Sequence, residues 1–199
     1  MHATIKVLPP TGEDRALAVH VAGGCLVGLA DGAGGTGNGT FAAELLMSCV
    51  TKLARAAATA DWSAALRAFD HDLSTHRDGG QTTGILAFVD EATVRGASVG
   101  DSVAWLIPAS GQIVDMTAHQ RRRPLLGSGE ALPVEFEARH QGGRILLASD
   151  GLAKYAEARR ICAVVAQGTA PDTVDQLVEL VRLPAGGFHD DVAVVIVSG

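Results

Sequence analysis

Apolar positions recur along this chain with two different periods, and the change of period marks the elements. Leu17 to Val21 alternates and meets Gly23-Gly24, and Cys25 to Ala30 resumes an apolar run that stops at Asp31-Gly32. Two strands joined by a tight glycine turn are predicted there. From Thr40 to Thr75 there is no proline, and Phe41, Leu45, Cys49, Leu53 and Ala56 fall at helical spacing. Asp61 is placed to cap a second helix with Trp62, Leu66, Phe69 and Leu73 on one face, and Gly79-Gly80 closes it. Short β-branched runs follow at Thr82 to Val89, Thr93 to Val99 and Ser102 to Ile107. Asp90-Glu91 and Gly100-Asp101 separate them as turns. Ser110-Gly111 turns the chain into a strand from Gln112 to Met116, and Arg144 to Ser149 reads as a buried strand ending at Asp150-Gly151. Pro171 can open a helix with Val174, Leu177, Val178 and Val181 on one face, and Asp191 to Val197 is the last strand.

Neighbouring strands joined by short turns favour antiparallel sheets. Helices gathered in separate blocks favour an α+β class over alternating βαβ units. No long linker or fixed-period repeat interrupts the order, so residues 1–199 are expected to form one domain.

Composition narrows the function classes. Hydrophobic residues make up 47% and charged residues 19%, the balance of a globular protein. Sixteen Lys and Arg against 22 Asp and Glu leave a formal charge of −6, which argues against a general nucleic-acid binder. No apolar window is long enough to span a membrane, and Met1 to Pro10 lacks the layout of a signal peptide. Cys25, Cys49 and Cys162 are scattered and unpaired in spacing, as expected of reduced core thiols in a cytoplasmic protein.

The placement of aspartates carries the chemistry. Asp31, Asp101 and Asp150 each adjoin glycine at the end of an apolar run, His189-Asp190-Asp191 precedes the last strand, and Glu13-Asp14 precedes the first. Any one Asp-Gly pair reads as a turn. Several carboxylates gathered at strand ends would repel one another unless something neutralised them. Hard divalent cations such as Mg²⁺ or Mn²⁺ do so with oxygen ligands.

These motifs resemble the metal-dependent serine/threonine protein phosphatases of the type 2C (PPM) family. The resemblance rests on Glu13-Asp14, Asp31-Gly32-Ala33-Gly34-Gly35, Gly80-Gln81-Thr82-Thr83, Val99-Gly100-Asp101-Ser102, Ser149-Asp150-Gly151 and Asp190-Asp191-Val192, in the family's order. Leu125-Leu126-Gly127 is similar to a further family turn. The resemblance implies a four-layer α-β-β-α sandwich of two antiparallel sheets flanked by helices. It implies two Mn²⁺ or Mg²⁺ ions, with Asp31 bridging them, the Gly32 carbonyl, Asp150 and Asp190 as ligands, and Glu13 approaching directly or through water. Asp14 would support the site, and Asp101 would hold a third, weaker ion. Asp31, Asp150 and Asp190 are thus the expected catalytic set. The implied reaction is hydrolysis of phosphoserine or phosphothreonine in proteins by a metal-activated water, without a covalent phosphoenzyme.

The chain departs from the family at Pro9, where many members carry a phosphate-gripping arginine. Lys6, Arg15 and the Arg121-Arg122-Arg123 triplet are the alternative cations, although a solvated loop is the plainer reading of the triplet. His119 and His189 are the histidines placed to serve as general acid. The short span between Asp101 and Asp150 matches the compact bacterial form of the family, whose partners are small phosphorylated regulators or Ser/Thr kinases. Two further readings remain open: a pseudophosphatase that binds a phosphoprotein or kinase without catalysis, and a hydrolase of small phosphate esters on the same scaffold.

Overall fold

Alternation along the strands sorts side chains into layers. In β3 (Gly24–Ala30), Cys25, Val27 and Leu29 point one way, while Leu26 and Ala30 point the other. Both faces are therefore buried, one against a second sheet and one against helices. A computed structural model describes residues 1–167 and 170–198, and the strands among them form two antiparallel sheets. The strands are β1 (His2–Leu8), β2 (Arg15–Val21), β3, β4 (Gly84–Val89), β5 (Thr93–Val99), β6 (Val103–Ile107), β7 (Val114–Asp115), β8 (Val134–Arg139), β9 (Arg144–Ala148) and β10 (Val192–Ser198). One sheet runs β1-β10-β9-β6-β7 and the other β2-β3-β4-β5-β8.

The helices are α1 (Gly39–Leu53), α2 (Trp62–Ser74), the short α3 (Asp150–Ala153), α4 (Ala158–Gln167) and α5 (Ala170–Glu179). Helices α1 and α2 cover the outer face of the second sheet through Leu46, Val50, Leu66 and Leu73. Helices α3 to α5 cover the first through Leu152, Ile161, Val165, Val174 and Leu177. Between the sheets lie Cys25, Val27, Ile85, Leu147 and Val195. The result is the expected α-β-β-α sandwich.

Several details differ from the pattern-based expectation. The deepest face of α1 is Ala42, Ala43, Leu46 and Val50, while Phe41, Leu45, Cys49 and Leu53 flank it half-buried. Small residues lead because the helix lies close on β3: a Cβ on Gly28 would meet Val50 Cγ2 at 2.5 Å. Strands β1 and β8 and helix α4 were not expected. Gln112 to Met116 shrinks to the two residues of β7. Thr82 stands before β4 as an isolated bridge to Gly32 and Leu126.

That bridge ties the loop after residue 120 into the fold. Leu126 is fully buried under α1 and α2, and its N–H and carbonyl exchange 3.1 Å hydrogen bonds with Thr82. Leu126→Ala should lower the free energy of unfolding by about 2–5 kcal/mol, the usual cost of truncating a buried leucine. Urea denaturation measures it, and a change under about 1 kcal/mol would mean the loop packs elsewhere.

Candidate metal centre

Antiparallel pairing brings the carboxylates to one end of the sandwich. Strands β3, β5 and β9 all finish there, and β2 and β10 start there. Residues just outside those strand ends therefore converge. Glu13, Asp31, Gly32, Asp101, Asp150 and Asp190 line a single cavity of about 350 Å³ together with Ala33, Gly34, Thr83, Arg122, Arg123 and Leu125. Five carboxylates thus face two guanidinium groups.

Hydroxyls and backbone groups hold this arrangement from below. The Asp31 N–H donates to Thr83 Oγ1 at 3.0 Å, and the Thr82 hydroxyl donates to the Asp31 carbonyl at 2.9 Å. Thr83 Oγ1 lies 2.8 Å from Ser102 Oγ, which links the Asp31 turn to the Asp101 turn. Across the cavity, Ser149 Oγ accepts the Ala193 N–H at 2.8 Å. The Asp191 carboxylate accepts the Glu13 N–H, joining the loop before β2 to the start of β10. Gly12 and Gly151 are needed for this approach: a Cβ on either would stand within 2.2 Å of an Asp191 oxygen.

The electrostatics are those of crowded like charge. Burial pushes the Asp31 carboxyl from 3.8 up to about 9, and the charges of Asp14, Asp150, Asp101 and Asp190 add to the shift. Asp14 does not line the cavity but lies behind it, 1% exposed. Burial lifts it to about 7; Ser149 opposes the rise, and Asp191, Asp190 and Asp150 reinforce it. Among the described residues neither Asp14 oxygen meets hydrogen-bond geometry with a donor. Asp150 is raised by burial, Asp190 and Asp101, against the pull of Lys154 and Arg122. Arg122 Nε pairs with Asp101 Oδ2 at 2.6 Å, and Lys154 Nζ stands 4.0 Å from Asp150.

A hard divalent cation fits these residues by two observations: a donor set of carboxylates in one cavity, and a buried carboxylate, Asp14, that has only Ser149 nearby and no well-aligned donor among the described residues. The side chains are not closed up around a common point. Among the described residues no three His, Cys, Asp or Glu form a ready-made ligand cluster. Asp101 is instead turned to Arg122.

Other residues singled out in the sequence lie elsewhere. Lys6 is on the helix-facing side of β1, because its neighbours Ile5 and Val7 take the inter-sheet side, and it pairs with Asp175 of α5 at 2.9 Å. Arg121 and His119 are exposed and outside the cavity lining. Arg15 binds the carbonyls of Gly12 and Asp14 and the Glu44 carboxylate. His189 is also outside the lining; its ring stacks on Tyr155 with centroids 4.9 Å apart. Thr83, Asp191 and Tyr155 were not assigned site positions. The adjacent motifs mark the first two, and no local signal marks Tyr155.

The raised carboxyls give the metal-free protein a defined pH dependence. Both groups have folded pKa values above the unfolded 3.8, so the folded state holds protons that the unfolded chain has released. Their stabilising effect is complete below about pH 4 and is lost as pH rises through about 7 for Asp14 and about 9 for Asp31. In EDTA the Tm should fall between about pH 5 and about pH 9, and Asp31→Asn should flatten the fall. A Tm that rises over this range would contradict the charge crowding.

Comparison with known proteins supplies the family. A model of the family described as Stage II sporulation protein E (SpoIIE) matches residues 22–198. No curated protein matches the chain. Among solved structures, an arginine-to-glutamate variant of a bacterial serine phosphatase superposes with a TM-score of 0.86 at 24% identity, covering 100% of this chain and 98% of that one. Stp1 from Staphylococcus aureus gives 0.81 at 22% identity, with 99% and 94% covered. The catalytic domain of the serine/threonine protein phosphatase PstP, solved with two manganese ions, gives 0.79 at 22%, with 98% and 96% covered. At these identities the likeness is one of fold. The family match over nearly the whole length, on that shared two-sheet fold, places the chain in the SpoIIE family, of the PPM type.

Proposed function

We propose that this protein hydrolyses phosphoserine or phosphothreonine in proteins, in a reaction that needs Mn²⁺ or Mg²⁺. The observation that carries the reading is the cavity itself, in which Glu13, Asp31, Asp101, Asp150 and Asp190 face Arg122 and Arg123. Asp31, Asp150, Asp190 and the Gly32 carbonyl would hold two ions, with Glu13 near one of them, Asp14 behind the site and Asp101 available to a third. Bound there, the ions would supply Lewis-acid stabilisation of phosphoryl oxygens and an activated water.

The chain's own groups do the rest. Arg122 and Arg123 bring guanidinium forks to the cavity, the geometry suited to phosphate oxygens, and stand in for the arginine missing at Pro9. Arg122 can exchange its Asp101 partner for an arriving phosphate, so an ion pair is replaced rather than lost. Thr83 bears the hydroxyl among the lining residues, and it is engaged by the Asp31 N–H and Ser102. No cysteine lines the cavity. A covalent phosphoenzyme on sulfur or on a free hydroxyl therefore has no nucleophile among the described lining residues, and the carboxylates there are assigned to the ions. The cavity is polar and open, as a side chain carried on a protein substrate requires, and a small regulator or a kinase is the partner class proposed.

Hydrolysis of a phosphothreonine peptide and of p-nitrophenyl phosphate should appear with Mn²⁺ and vanish in EDTA. Turnover that persists in EDTA would sink the metal-dependent reading. Asp31→Asn and Asp150→Asn should each lower kcat by about 10²–10³-fold, the loss typical of removing a group that stabilises transition-state charge, with the circular-dichroism spectrum unchanged. Arg123→Ala should instead raise KM for the phosphopeptide about tenfold with little change in kcat.

A further inference from the structure

Asp70 is a buried carboxylate that the proposed chemistry does not use. It lies on the apolar face of α2 between Leu66 and Leu73 and is 4% exposed. A charge placed there is costly unless donors surround it. Among the described residues its donors come from one distant loop. Oδ1 accepts the N–H of Gly127 at 2.7 Å and of Gly129 at 3.1 Å, and Oδ2 accepts the N–H of Ala131 at 3.0 Å. Gly127 and Gly129 have φ of +90° and +77°, a conformation side chains disfavour, and this lets alternate N–H groups turn toward one point. The loop is folded around the carboxylate.

The same loop carries the cavity's arginines. Upstream, Gln120 is held by Ser98 Oγ at 2.9 Å. Downstream, Leu126 is paired with Thr82 and the next residues are bound to Asp70. Arg122 and Arg123 lie between these two anchors and line the cavity. Asp70 does not itself line the cavity.

We infer that Asp70 is a positioning residue for phosphate recognition: its carboxylate pins residues 127 to 131 so that Arg122 and Arg123 are presented to the cavity. This rests on the phosphatase reading above. Loss of the clamp leaves the Leu126–Thr82 pairing alone to hold that end of the arginine segment, which loosens it and weakens substrate capture, while the carboxylates proposed to hold metal are untouched.

The test is steady-state kinetics on a phosphothreonine peptide with Mn²⁺, using the full chain. Asp70→Asn should raise KM about tenfold and leave kcat and the Mn²⁺ dissociation constant within about twofold. Amide exchange at Ala131 should accelerate, because the NH2 that replaces Oδ2 cannot accept its N–H. Adding Asp70→Asn to an Arg122→Ala/Arg123→Ala protein should give no further rise in KM, because the groups it positions are gone. A purely structural role would lower kcat or add to the arginine effect. Gly129→Ala attacks the clamp from the loop side, leaves the α2 core intact and should reproduce the KM change if Asp70→Asn fails to fold. Unchanged KM in either folded variant, or full additivity with the arginine variants, overturns the inference alone. Absence of turnover in the unaltered protein overturns the phosphatase reading and this inference with it.

Discussion

Five carboxylates share one cavity with two guanidinium groups, and these side chains cannot neutralise one another. Burial first, and the excess charge after it, drives the Asp31 and Asp14 carboxyls far above their ordinary range. Such a cluster persists only if the backbone beneath it cannot spread. The sandwich supplies that rigidity, because strands with both faces buried have no solvent side toward which to relax. Strand register then fixes how near the carboxylates stand, and crowding at the rim follows from packing in the middle.

A second layer turns that crowding into a shaped site. Thr82, Thr83 and Ser102 join the Asp31 and Asp101 turns through hydroxyls, and Asp191 with Ser149 joins the Glu13 loop to β10. These groups are short-armed and mostly buried, so each bond orients backbone with little freedom lost. The cations arrive differently, on a long loop that is anchored at Gln120, Leu126 and Asp70 and reaches across the cavity mouth. The anionic half of the site is thus part of the sheets, and the cationic half is hung from them.

How far this was legible depended on the element. Runs buried on both faces, such as Cys25 to Ala30 and Ile145 to Ala148, stood out because no position is polar. Strands β1 and β8 were missed although His2-Ala3-Thr4-Ile5-Lys6-Val7 and Val134-Glu135-Phe136-Glu137 alternate, since they lie at sheet edges where polar residues dilute the signal. The face of α1 was placed one step off because small alanines, not the larger Phe41 and Leu45, face β3. Asp70 did carry a signal, a carboxylate on an apolar helical face, but the pattern alone could not name its donors.

The sequence by itself determined that carboxylates would stand at strand ends, because an apolar run cannot continue through an ionised side chain and a neighbouring glycine lets the chain turn there. It also determined antiparallel pairing and the α+β class, through short apolar runs joined by tight turns, while the two-sheet sandwich followed only from the resemblance of its motifs to a known family. Only the tertiary structure decided which cations those carboxylates meet. Lys6 faces α5 because of strand alternation, His189 rests on Tyr155, and Arg122 reaches Asp101 because a loop is folded around Asp70. These choices rest on contacts between segments distant in sequence. Their energies depend on where loops close, and no local period records that.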